Sequence, residues 1–250
     1  MRPSIKSEPW SPIRLRVVDI ETTGFAPPAE VIELGCVDVE WRPGAGARVR
    51  LPRARLFAAR NGIPAAVSAI HHITQADIPE DAPAATQERL REALLAQPAP
   101  DILVAHNCAF ERRFIGAEAD GGLPWICTYK AALRAWPLAP GHSNQALREW
   151  RDLALDPALA APAHRAGPDA YVTAHLLAEL LAAAPIERLI AWSHEPRPLS
   201  AIPFGKHRGL AWTAAPLDYL QWMTQQAAMD ANVLRHAMAE LGRRESVGSS

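Results

Sequence analysis

The sequence is short of several things, and each shortage excludes a class of protein. No run of 18 apolar residues occurs, so nothing in it reads as a membrane-spanning helix. Cysteine is scarce: Cys36, Cys108 and Cys127 are an odd set with no C-x-x-C spacing. That argues against a disulfide framework and for free, buried thiols. The opening MRPSIKSEPW lacks the apolar core of a secretion signal. Together these give a reducing cytoplasm as the expected location. Charge of one sign is also missing in bulk. The formal net charge is -1, so no global basic field attracts nucleic acid, and any such contact must come from local patches. Lysine occurs only at 6, 130 and 206; the other basic residues are arginines.

What is present suits a globular chain with one good core and a smaller appendage. It has 250 residues, 49% hydrophobic and 21% charged. LRVVDIE reads as a strand that turns polar at its end, EVIELGCVDVEW as a second strand, and ARVRL as a third, giving an antiparallel meander. TQERLREALLA, residues 86–96, has helical spacing with Thr86 or Asp81 as cap. DILVAHN reads as a central strand buried on both faces. A helix is predicted from Phe110 to Asp120, stopping at Gly121-Gly122. WICTYKAALRAW reads as a strand running into a helix, Ser143 caps SNQALREWRDL, and residues 166–184 form a helix ended by Pro185. Strands first, then strands alternating with helices, predict a mixed-sheet α/β domain. The expected divisions are a tail over 1–12, the α/β domain over 13–185, a proline-rich linker over 186–201, a small helical module over 202–242 and a disordered tail over 243–250.

Three separated segments carry chemistry. In VVDIETTG, Asp19 and Glu21 lie two apart on a strand and so point to one face. Two such carboxylates repel each other and lose hydration, and a hard divalent cation relieves both costs. The Gly24 turn that follows allows backbone N–H groups close to a ligand. In HRAGPDA, His164 precedes Asp169 at a helix entrance, where an imidazole can take a proton from a bound water. In AHNCAFERRF, the apolar strand ends in His106, Asn107 and, after Phe110, the carboxylate of Glu111.

In chain order these segments resemble the motifs of the DEDDh 3′→5′ exonucleases of the ribonuclease H-like superfamily. D-x-E-T-T-G is met by Asp19, Glu21, Thr22, Thr23 and Gly24; H-N-x-x-F-D by His106, Asn107, Phe110 and Glu111; H-x4-D by His164 and Asp169. The resemblance implies a ribonuclease H-like mixed five-stranded sheet flanked by helices, and two divalent cations, Mg2+ or Mn2+. It implies that Asp19 bridges the cations, that Glu21 and Asp169 complete the first site, and that Glu111 holds the second largely through water. His164 would deprotonate the water that attacks the terminal phosphodiester, releasing a nucleoside 5′-monophosphate. Thr22, Thr23 and Gly24, with Asn107 and Phe110, would receive the 3′-terminal nucleotide of a nucleic acid, DNA by expectation.

The chain departs from the family at Glu111, where Asp is usual. Glu keeps the charge and adds a methylene, which a ligand acting through water tolerates better than one bound directly. Downstream, IPFGKHRGLAWTAAPLDYLQWM places Lys206, His207 and Arg208 between two glycines with Phe204, Trp212, Tyr219 and Trp222 nearby, a composition suited to phosphates and bases. This segment is similar to the C-terminal extension of exodeoxyribonuclease X-like proteins. At the level of sequence, RNA as substrate and a non-catalytic binding module with a degenerate site both stay open.

Overall fold

A computed structural model describes residues 11–248. Residues 1–10 of the expected N-terminal tail and 249–250 of the expected C-terminal tail lie outside the described residues. Contacts divide the chain into two units, Met1–His194 and Glu195–Ser250.

The first unit is organised by two long strands, β1 (Ile13–Thr22) and β2 (Val31–Arg42), paired antiparallel with Asp19 opposite Gly35 and Glu21 opposite Glu33. Apolar residues occupy both faces of these strands because both faces are covered. Leu15, Val17, Val37 and Val39 pack on the side of α6 (Ala166–Ala183). Val18, Ile20, Leu34 and Cys36 pack on the opposite side with α2 (Gln87–Leu94) and α3 (Cys108–Phe114). All three cysteines are buried and free.

β5 (Ile102–Ala105) runs parallel to β1, and β6 (Trp125–Cys127) parallel to β5. The C-terminal ends of β1 and β5 therefore share one edge of the sheet, the edge at which open α/β sheets carry ligands. The strand order is β3-β2-β1-β5-β6.

Among the described residues the sheet has six strands, not the expected five. β3 (Gly46–Val49) and β4 (Arg53–Leu56) lie end to end along β2, the first against 39–42 and the second against 33–36. Pro52, between them, cannot donate a ladder hydrogen bond, so the outer strand breaks there and resumes. The α3 helix also differs from expectation, ending at Phe114. The Gln87 amide donates to Phe114 O at 2.7 Å and accepts from Gly116 N–H at 2.9 Å, supplying the backbone with partners outside a helix.

The linker expected over 186–201 is corrected in its first half. Ile186–His194 is a helix, α7, that buries Ile186 and Leu189 in the core beneath α6. Pro185 stops one helix and its carbonyl accepts the first bonds of the next, from Arg188 and Leu189 N–H at 2.9 and 3.1 Å. α1 (Ala65–His71), α4 (Thr128–Ala135) and α5 (Asn144–Trp150) complete the helices of this unit among the described residues, with Ser143 capping α5 through Ala146 N–H at 3.3 Å.

In the second unit α8 (Leu217–Thr224) and α9 (Ala231–Gly248) enclose Ile202, Trp212, Leu220, Met223, Val233 and Ala237. Residues 243–248, expected to be disordered, are helical. Buried Glu240 pairs with Arg243 at 2.6 Å and Arg244 at 2.8 Å, and Arg244 also donates to Ala215 O at 2.8 Å. Among the described residues no helix is long and apolar enough to cross a membrane.

Candidate active site

Asp19 and Glu21 continue the side-chain face of Leu15 and Val17, so they point toward α6. Asp169 stands in the first turn of α6. What lets that turn come so close is Gly35, beside Asp19 on β2: a Cβ there would lie 2.0 Å from Ala166 O. Carboxylate oxygens of Asp19, Glu21 and Asp169 consequently lie within 4.8 Å of one another.

A half-buried ion pair fixes the helix entrance. Glu33, 2% exposed, accepts from Arg165 Nη2 at 2.6 Å, from Arg165 Nε at 3.0 Å and from Ala166 N–H at 2.9 Å. The two partners are 132 residues apart, and the acid takes up a helix N-terminal donor while the fork of the arginine meets it in two bonds. The Asp169 carboxylate is held in turn by His164 N–H at 3.0 Å and by Gln145 Nε2 at 3.1 Å, and its carbonyl by Asn144 Nδ2 at 3.0 Å. His164 has φ 59°, in the left-handed region uncommon for residues other than glycine, and is exposed. Glu33, Arg165, Asn144 and Gln145 are absent from the sequence-based site. Their signals were present: a lone acid inside the apolar run VIELGCV, an arginine beside His164, and polar residues opening SNQALREW.

The second motif is placed differently. Glu111, on α3, is 4% exposed, and its Oε2 is buried with no hydrogen-bond partner. It lies outside the cluster of three yet close enough to raise the pKa of Asp19. His106 is structural: its ring nitrogens bond Thr128 Oγ1 and His142 O, each at 2.9 Å. Burial pulls its pKa down to about 4. Asn107 is exposed and makes no side-chain cap on α3. Phe110 is partly buried on the core and meets Phe114 edge-on at 5.4 Å. In the turn after β1, the Thr22 hydroxyl donates to Gly24 O at 2.6 Å and Thr23 Oγ1 accepts from Glu30 N–H at 2.8 Å. Lys206, His207 and Arg208 belong to the second unit.

Electrostatically the acids are ill at ease. Burial, then Glu21, Glu111 and Asp169, raise Asp19 well above the usual carboxylate range. Burial, followed by Asp169 and Glu33, pushes Glu21 up to about 8. Glu111 is also pushed up to about 8, by burial first and then by Cys127 and Glu21. Asp169 is raised by burial, against the opposing bonds from His164 and Gln145. An all-oxygen donor set, mutually repelling and with one buried oxygen unpartnered, fits hard divalent cations, which would hold all four in their charged form.

The comparisons with known proteins agree with this geometry. The family model described as Exonuclease matches residues 17–177. Exodeoxyribonuclease 10 of Escherichia coli (strain K12) is 31% identical over 214 residues, covering 84% of this chain and 90% of that protein. Among solved structures, Exonuclease X in complex with 5′ overhanging duplex DNA is similar at 30% identity and a TM-score of 0.59, covering 72% of this chain and 99% of that one. The nuclease domain of 3′hExo, a DEDDh family member, bound to rAMP, shares the fold at 14% identity and a TM-score of 0.50, covering 68% of this chain and 92% of that one. With the fold, the ordered motifs and a relative across most of its length, this chain belongs to the exonuclease family, in its DEDDh 3′→5′ branch.

Proposed function

We propose that this exonuclease shortens DNA from a free 3′ end, releasing nucleoside 5′-monophosphates, with two divalent cations, Mg2+ or Mn2+, held by Asp19, Glu21, Asp169 and Glu111. The observation that carries the reading is the convergence of Asp19, Glu21 and Asp169 oxygens within 4.8 Å at the edge where β1 ends. Bound there, such cations lower the pKa of water and neutralise charge on a phosphodiester.

The remaining work falls to the chain. The exposed imidazole of His164 takes the proton of the attacking water, and its own backbone N–H ties it to Asp169. Asp169 stays where it is because Gln145 and Asn144 hold both its carboxylate and its carbonyl. The closed turn of Thr22, Thr23 and Gly24 gives the terminal nucleotide a fixed wall, and Asn107 and Phe110, at the start of α3, stand at the second motif beside Glu111. DNA is favoured over RNA by the two relatives at 30% identity or more, one named an exodeoxyribonuclease and one solved with duplex DNA. The catalytic unit, on this reading, runs through α7 to His194, and the module after it is separate. Free buried thiols fit a reducing cytoplasm as its place of action.

The test uses 5′-labelled single-stranded DNA, duplex DNA and RNA, each with magnesium, with EDTA and with a His164→Ala control. A ladder shortening from the 3′ end of DNA, dependent on metal and on His164, is expected. Faster shortening of RNA would reassign the substrate, and binding without shortening would overturn the reading.

A further inference from the structure

The second unit carries aromatic residues of two kinds. Trp212 serves its core: Nε1 donates to Leu199 O at 2.8 Å and the ring stacks on His236 at 5.4 Å. Phe204 packs partly buried against the same core. Trp222 is different. It is 43% exposed, and it lies on buried Tyr219 with centroids 5.3 Å apart and planes inclined by 21°.

Tyr219 is itself clamped. His207 meets it edge-on at 4.6 Å, Lys206 Nζ lies 5.8 Å from its centroid, and a Cβ on Gly205 would come within 2.5 Å of its Oη. Gly205 and Gly209, at φ 70° and 86°, bracket the turn Lys206-His207-Arg208. Only glycine adopts those angles readily, so the shape of the turn depends on both. Lys206 and Arg208 are exposed, and among the described residues no carboxylate pairs with either.

We propose that this face binds single-stranded DNA: a base stacks on the Trp222 indole, and neighbouring phosphates meet Lys206 and Arg208. The proposal rests on the reading of DNA as substrate, and it assigns a second, sequence-tolerant contact on the unit that lacks the carboxylates. The chemistry selects a nucleic-acid strand over an apolar partner. An exposed ring stacked on Tyr219, and a turn carrying two cations without carboxylate partners that packs on the same tyrosine, offer a π-face and positive charge, the two things a polynucleotide presents complements to at every residue. An apolar protein surface would leave both cations desolvated without partners.

The test uses the full chain carrying Asp19→Asn, so that DNA persists, and a 5′-fluorescein single-stranded 20-mer followed by anisotropy. Trp222→Ala is expected to weaken binding roughly 5- to 100-fold, with Trp222→Phe recovering most of the loss. Lys206→Gln with Arg208→Gln is expected to lower the slope of log Kd against log salt by about 1.4, two phosphates' worth on a single strand. A Trp222→Ala protein with unaltered thermal unfolding and unaltered Kd overturns the proposal. So does an unchanged salt slope in the double variant. Should Trp222→Ala fail to fold, Arg208→Glu on the exposed turn decides in its place: binding equal to the parent's overturns the proposal. Tighter binding of the same sequence as RNA, lost equally in Trp222→Ala, overturns the assignment to DNA. Failure of the functional reading is seen separately, as unshortened DNA with the Asp19-intact chain and magnesium.

Discussion

Asp19, Glu21 and Asp169 crowd one another, while Glu111 stands apart with a buried oxygen bonded to nothing. All four hold protons more tightly than an exposed acid, and burial is the first cause for each. The difference lies in how they are held. The three are referenced to the sheet through backbone contact at Gly35 and through the Glu33–Arg165 pair. Glu111 comes from a short helix, and among the described residues nothing bonds its buried Oε2. Asp169 is therefore fixed by hydrogen bonds on both sides, whereas the buried oxygen of Glu111 has none. This is where the chain carries a side chain one methylene longer than its family usually has.

The sharpest way to break that comparison is to neutralise its centre. Asp19→Asn should lower kcat by roughly a thousandfold or more, about 4 kcal/mol of lost stabilisation, in a single-turnover assay. A residual rate within tenfold of the parent would show that the cluster is not the reaction centre. Changing lengths comes next. Asp169→Glu should cost on the order of 100-fold in kcat, while Glu111→Asp should stay within about tenfold, because only the first displaces a group held on both sides. Equal losses would erase the distinction between the bonded and the unbonded carboxylate. The clamp behind the cluster follows: Glu33→Gln should weaken Mn2+ binding by about 10- to 100-fold in titration calorimetry, as removal of a metal site's supporting partners does. Unchanged affinity would make the pair a matter of stability alone.

The smallest effect is one of pH. Glu21 and Glu111 have folded-state pKa values of about 8, above the unfolded value of about 4.3 for glutamate. Between these values the folded chain binds more protons than the unfolded one, so stability falls as pH rises. The metal-free protein should lose several degrees of Tm between about pH 5 and 8. Added magnesium should raise Tm more at pH 8 than at pH 5, because cation binding needs the carboxylates ionised. A metal-free Tm that climbs over the same interval would contradict the crowding of these acids.

Much of the site was legible because its motifs are local. Asp19 and Glu21 share a face by the period of a strand, and His164 and Asp169 frame a helix entrance by their spacing. Their convergence was inferred from chain order and resemblance. The clamp was not legible, since Glu33 and Arg165 meet only through folding across 132 residues. Counting strands failed at Pro52 for a related reason. Two four-residue pieces gain strand character only from the long β2 they lie against. The helix after Pro185 is obscured by the prolines that follow it at 196, 198 and 203, although Pro at a helix start is favourable. In the second unit, composition picked out the aromatics but could not separate Trp222, exposed, from Trp212, buried.

Gly35 has a consequence for how the enzyme responds to its ligands. The sheet and the first turn of α6 meet there backbone to backbone, with no side chain between them to change rotamer. The separation of Asp19 from Asp169 thus has no adjustable part on that side. On the proposed function, a site built this way is preorganised: ions and substrate would find the carboxylates already in position, and little reorganisation energy would be spent when they arrive.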